Sequence, residues 1–115
     1  MPPKKTKKPA RKHHNVYVIE LDPTVLEKSN FREANPEHRT DKPCLYVGMT
    51  GHTPDERFAQ HLASFKASKY AKQHGVRLRP SLYKLYNPMT FEEAGKREKE
   101  LARRLRNRGF AVWQK

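Results

Sequence analysis

The chain of 115 residues is 35% hydrophobic, which suits one domain with a thin core. Charge is its outlying property: 25 Lys and Arg stand against 12 Asp and Glu, a net +13. A lone cysteine, Cys44, excludes a disulfide framework and a Cys-rich zinc site. No apolar run has the length of a membrane span, and the N-terminus lacks the apolar centre of a signal peptide.

Residues 1–14 (MPPKKTKKPARKHH) hold three prolines and six cations, Lys4, Lys5, Lys7, Lys8, Arg11 and Lys12, with no acid among them. They read as a disordered basic arm ahead of a single folded domain over residues 15–115. The remainder keeps 19 cations against 12 acids, so the folded part is basic too. A positive fold behind a positive arm fits a polyphosphate partner, because each phosphate contact releases counterions. Nucleic acid, DNA ahead of RNA, is therefore the expected partner, in preference to a membrane, and a monomer is the default state. The expected location is a bacterial or phage-type cytoplasm, or the nucleus if the arm is an address signal.

Residues 15–21 (NVYVIEL) are β-branched and aromatic and predict a strand, with Val16 and Val18 on one side and Tyr17 and Ile19 on the other. Residues 22–42 carry two prolines and many charges and predict a long loop, with one helical turn near 24–28. A second strand follows at 44–48 (CLYVG). Thr53-Pro54-Asp55-Glu56 is a capping box with proline at the first helical position, so a helix starts there, with Phe58, Leu62 and Phe65 as its buried stripe. Arg57 and His61 are four apart and share a neighbouring face. A short helix over 67–74 ends at Gly75, and residues 78–86 (LRPSLYKLY) predict a third strand, with Pro80 marking an edge or bulge. Thr90-Phe91-Glu92-Glu93 is a second capping box, and Gly109 is the stop of that helix. Residues 110–114 (FAVWQ) close the chain as a strand. The fold class is α/β: a small, mainly antiparallel sheet of three or four strands flanked by helices.

On the last helix, Phe91, Ala94, Leu101, Ala102 and Leu105 form the apolar stripe, and the position that completes it holds Glu98. A carboxylate there is costly to bury without a partner. Two partners suit it: a cation such as Arg57 or Arg97, or a divalent metal that takes hard oxygen ligands. Glu92 and Glu93 have an ordinary role in the first turn, where acids favour the helix dipole. Two strand tyrosines, Tyr17 and Tyr46, keep company with Arg57, His61 and Glu98, and no Ser-His-Asp pattern, Gly-rich phosphate loop or zinc pair competes with them.

NVY (15–17) followed by YVG (46–48) resembles the paired strand motifs of the GIY-YIG nuclease superfamily. The stretch YVGMTGHTPDERFAQH (46–61) is similar to the family's continuation, in which an arginine and then a histidine or tyrosine four residues later follow the second motif; these are Arg57 and His61. AGKREKEL (94–101) resembles the family's metal-glutamate helix and puts that glutamate on Glu98. SKY (68–70) also looks like the small single-domain members. The resemblance spans roughly residues 15–108. This chain departs from the pattern at Asn15 (for the leading glycine), at Met49 (where some members carry a lysine) and in having no clear counterpart of the family's late asparagine. Its 22–42 segment is also longer than in compact members.

The resemblance implies a single-metal phosphodiester hydrolase, an endonuclease. Glu98 would hold Mg²⁺ or Mn²⁺, Arg57 would neutralise transition-state charge, and Tyr17 or Tyr46 would orient or deprotonate the attacking water with help from His61. An unperturbed phenol has a pKa near ~10. The six arm cations and Lys69 are the expected phosphate contacts. The alternative is a non-catalytic basic nucleic-acid-binding protein on the same fold, and a third reading is a basic structural protein of a ribonucleoprotein or phage particle.

Overall fold

The computed structural model describes residues 11–63 and 69–114. Lys4, Lys5, Lys7, Lys8, Phe65 and the start of the helix expected at 67 lie outside them. Strands β1 (Asn15–Leu21) and β2 (Cys44–Thr50) form the centre of a four-stranded sheet and are buried along nearly their whole length. Both of their faces are covered, so the apolar run is continuous rather than alternating. They pair antiparallel from Asn15 opposite Thr50 to Leu21 opposite Cys44, which sets Tyr17 directly across from Gly48.

The two outer strands are shorter. Strand β3 (Gly75–Leu78) pairs antiparallel with the end of β1, and β4 (Ala111–Gln114) runs parallel to the first half of β2, giving the order β3-β1-β2-β4. The expected α/β class therefore stands as a mixed sheet, with two antiparallel pairings and one parallel.

The third strand lies earlier than the 78–86 expectation. Only Leu78 belongs to it; Pro80–Leu82 and Lys84–Tyr86 are 3-10 helices. Pro80 fixes a turn-compatible φ and donates nothing to a ladder, and Leu82 and Tyr86 pack on the core at a spacing of four rather than two. Gly75 opens β3 instead of capping the helix before it, α3 (Lys69–His74). Where β3 falls short, Asn87 takes its place: its amide accepts from Val16 N–H and donates to Val16 C=O, both at 2.8 Å.

Helix α4 (Phe91–Asn107) starts at the Thr90 capping box and stops at Gly109, whose φ is +96°. Its buried face is Ala94, Glu98, Leu101, Ala102 and Leu105, as the stripe predicts, except that Phe91 is 65% exposed and lies edge-on to His14. This face covers the side of the sheet that carries Val47, Met49 and Gln114. Helices α1 (Ser29–Glu33), α2 (Pro54–Ala63) and α3 cover the other side, which carries Tyr17, Tyr46 and Trp113. Phe31, Tyr70 and Trp113 form an aromatic cluster there.

The segment read as a long loop holds a 3-10 helix at Pro23–Glu27, close to the expected turn, and α1, which was not foreseen. It is tied down by Asn35. The Asn35 Oδ1 accepts from Val112 N–H at 2.7 Å and from Arg106 Nε at 3.2 Å, while its Nδ2 donates to Phe31 C=O at 2.8 Å. One buried amide thus joins α1, α4 and β4. His14, at the end of the basic segment, makes an antiparallel bridge with Met89.

Candidate active site

The Thr53–Glu56 capping box forms as predicted: Thr53 N–H donates to Glu56 and Glu56 N–H donates to Thr53 Oγ1. It starts α2 at an angle that turns His61 fully into the core, packs Phe58 against the core's rim and leaves Leu62 outside. Leu62 is 48% exposed and His61 is fully buried. Of the expected apolar stripe, Phe58 thus packs on the core while Leu62 does not, and the fully buried position goes to His61, for which the sheet face beneath offers a polar partner. The Tyr17 hydroxyl lies 2.7 Å from His61 Nε2. The Tyr46 ring meets His61 edge-on, with centroids 5.3 Å apart.

Tyr17 and Tyr46 are diagonal neighbours on one face of the β1–β2 pair, because Tyr17 sits opposite Gly48 and Tyr46 lies two residues before it. The Tyr17 ring rests on Gly48. A Cβ added to that glycine would fall 2.5 Å from the Tyr17 hydroxyl oxygen. The glycine of the second motif therefore exists to seat the tyrosine of the first.

Strand β4 stops at Gln114, opposite Val47, so Gly48 and Met49 have no sheet partner on that side among the described residues. A cleft of about 250 Å³ opens at this free edge and is lined by Tyr17, Tyr46, Gly48, Met49, Arg57 and Glu98. Tyr17, Tyr46 and Arg57 reach it from the α2 side. Met49 and Glu98 reach it from the α4 side.

Burial pushes the Tyr17 phenol well above the usual phenol range; the neighbouring Tyr46 adds to this, and the Arg57 guanidinium opposes it. Arg57 also donates to Gln60 at 3.0 Å. Glu98 is 8% exposed, and its Oε1 accepts from Gln114 Nε2 at 2.9 Å. Arg97, one of the cations considered for it, instead pairs with Glu100 and lies over the Tyr86 ring at 4.3 Å.

Four of the five expected residues, Tyr17, Tyr46, Arg57 and Glu98, meet in the cleft, and His61 stands behind Tyr17. Lys69 is exposed at the start of α3, Arg11 and Lys12 are exposed, and none of the three lines the cleft. Gln114 was missed. It carries no local signal; only the parallel pairing of β4 with β2 brings it to Glu98.

Comparison of the chain with family models, with curated proteins and with solved structures finds no match.

The cleft can bind an anion at Arg57 and offer it phenol hydroxyls. Its one carboxylate, Glu98, is a hard oxygen donor. No group of three or more His, Cys, Asp or Glu suited to a metal ion occurs among the described residues. A magnesium-type ion nevertheless fits a single carboxylate, since it keeps several waters and takes its remaining ligands from substrate phosphate. No helix among the described residues is long and apolar enough to cross a membrane.

Proposed function

We propose that the chain is a metal-dependent endonuclease of GIY-YIG type, hydrolysing phosphodiester bonds in nucleic acid, with DNA as the first substrate to test. One observation carries the reading. Tyr17, Tyr46, Arg57 and Glu98 come from four separate elements, yet they line one small cleft at the open edge of the sheet. The basic composition supports it, because a chain at net +13 attracts a polyanion.

Glu98 would hold Mg²⁺ or Mn²⁺, with Gln114 donating to its Oε1 and so directing the carboxylate. When bound there, such an ion would supply Lewis acidity for phosphodiester hydrolysis. Arg57 binds the phosphate and offsets the charge that grows in the pentavalent transition state.

Tyr17 is the better placed of the two phenols to take a proton, because His61 stands directly behind it. Its raised pKa keeps it protonated at rest, so it does not act as a free phenolate. As the attacking water loses its O–H proton to the Tyr17 oxygen, Tyr17 passes its own proton to His61 Nε2 across the 2.7 Å contact. The water oxygen forms the new bond to phosphorus as the bond to the leaving oxygen breaks, and the leaving oxygen takes a proton from solvent water at the open mouth of the cleft. His61 is fully buried and acts only through Tyr17. Tyr46 packs on the pair and faces the cleft.

The test is cleavage of branched, single-stranded and duplex DNA with Mg²⁺ and Mn²⁺, comparing the parent chain with Glu98→Gln and Tyr17→Phe. Loss of cleavage in a folded Glu98→Gln variant supports the reading. Cleavage equal to the parent's refutes it. A parent that binds DNA and never cuts it belongs to the non-catalytic alternative.

A further inference from the structure

Gly48, Gly75 and Gly109 each have a reason inside the fold. A side chain at Gly48 would collide with Tyr17, one at Gly75 would fall 2.4 Å from the Ala71 carbonyl oxygen, and Gly109 has a positive φ. Gly95 has no such reason. It lies in the first half of α4 with ordinary helical backbone, and the nearest atom to an added Cβ is Met49 Sδ at 4.0 Å, a comfortable contact. Alanine fits there and is a far better helix former. The helix instead keeps a bare, half-exposed patch of backbone one turn before Glu98, against a residue that lines the cleft.

The cations of α4 divide around this patch. On one flank Arg97 and Arg104 both pair with Glu100. On the flank that adjoins Gly95, Lys99 and Arg103 are exposed, and neither makes an ion pair with a described residue. The acid on that flank, Glu92, sits in the first turn, away from Arg103.

We infer that Gly95 is the seat of a nucleic-acid backbone: a sugar-phosphate strand lies directly on the helix between Met49 and Lys99, with its phosphates on Lys99 and Arg103, and this leads it to Glu98. A missing side chain lets a ligand approach a helix more closely than any other residue does, and phosphate contacts fix a strand's register without reading its sequence. The inference rests on the proposed function for the nature of the partner.

The experiment uses the full chain and a fluorescent DNA duplex, with Ca²⁺ in place of Mg²⁺, and reads affinity by anisotropy and stability by thermal unfolding. Gly95→Ala is expected to raise Tm by about 4 °C while weakening binding by roughly threefold, the two effects moving in opposite directions. Gly95→Gln extends further over the patch and is expected to weaken binding by roughly tenfold or more. Lys99→Gln with Arg103→Gln should flatten the slope of log K against log salt by up to ~2 units. Binding within twofold of the parent for both Gly95 variants overturns the inference, as does an unchanged salt slope. A parent that binds no duplex overturns it too. Glu98→Gln separates the two claims: if it cleaves like the parent while the Gly95 variants bind poorly, the nuclease reading fails and the backbone seat stands.

Discussion

Gly48→Ala is the most direct probe of how the tyrosines are held. The new methyl would sit 2.5 Å from the Tyr17 hydroxyl oxygen and 2.6 Å from its Cζ. The ring must retreat by about 1 Å to restore van der Waals contact, and Tyr17, only 1% exposed, is packed on every side but that of the cleft it lines. Overpacking of this kind costs about 1–3 kcal/mol. Displacing the hydroxyl also breaks its 2.7 Å contact with buried His61, which adds about 1 kcal/mol. The total is about 2–4 kcal/mol, equivalent to a fall of roughly 8–16 °C in Tm for a domain of this size. Thermal unfolding followed by circular dichroism measures it. In a Tyr17→Ala background, where the ring is gone, the same change should cost under ~1 kcal/mol. A fall below ~2 °C in the parent background, or equal falls in both, would mean that the ring does not rest on Gly48.

Asn35→Ala should destabilise by about 2–4 kcal/mol, because it orphans the buried Val112 N–H and removes the link between α1, α4 and β4; urea unfolding that finds under ~0.5 kcal/mol would show that the amide is dispensable. Alkaline stability should fall because the Tyr17 phenol titrates higher in the fold than in the unfolded chain. Below pH ~10 both states hold the proton and nothing changes; above it the unfolded state sheds the proton first, and this one group costs up to ~1.4 kcal/mol per pH unit. Tyr83, pushed up to about 12 by burial, acts in the same direction. Tm measured from pH 8 to 12 should therefore drop less steeply above pH 10 in Tyr17→Phe than in the parent, and parallel curves would contradict the assignment. Deleting residues 1–12 removes the six arm cations and should flatten the salt dependence of nucleic-acid binding by up to ~5 units without altering the cleavage pattern; an unchanged slope would mean that the arm does not touch the nucleic acid.

Elements with a local chemical cause were legible in the sequence. Both capping boxes, the stop at Gly109 and the two central strands follow from residues within a few positions of one another. Glu98 was legible as an exception within a periodic stripe. What escaped notice depended on partners distant in the chain. His61 was legible as a site residue, but its full burial and its bond to Tyr17, 44 residues earlier, were not. The run 78–86 has the composition of a strand, yet β1 pairs with the preceding GVRL instead, and Asn87 supplies the remaining bonds. Helix α1 has only five residues, too few for a periodic pattern, and it owes its place to Phe31 in the aromatic cluster and to the amide of Asn35 that follows.

The short fourth strand bears on how steady the cleft can be. Strand β4 is a four-residue edge, and it joins β2 only through a pairing across more than sixty positions of chain, Cys44 with Ala111. Edges of this kind open locally at free energies far below that of global unfolding. Each such opening withdraws Gln114 from Glu98 while β1 and β2 stay closed. Amide deuterium uptake at 113 and 114 should therefore outpace that at 16–19 and 45–47, with Val112 held by Asn35, and a ligand held by Glu98 should slow it. Gln114 thus meets the carboxylate from an edge strand, whereas the tyrosines stand on the two central ones.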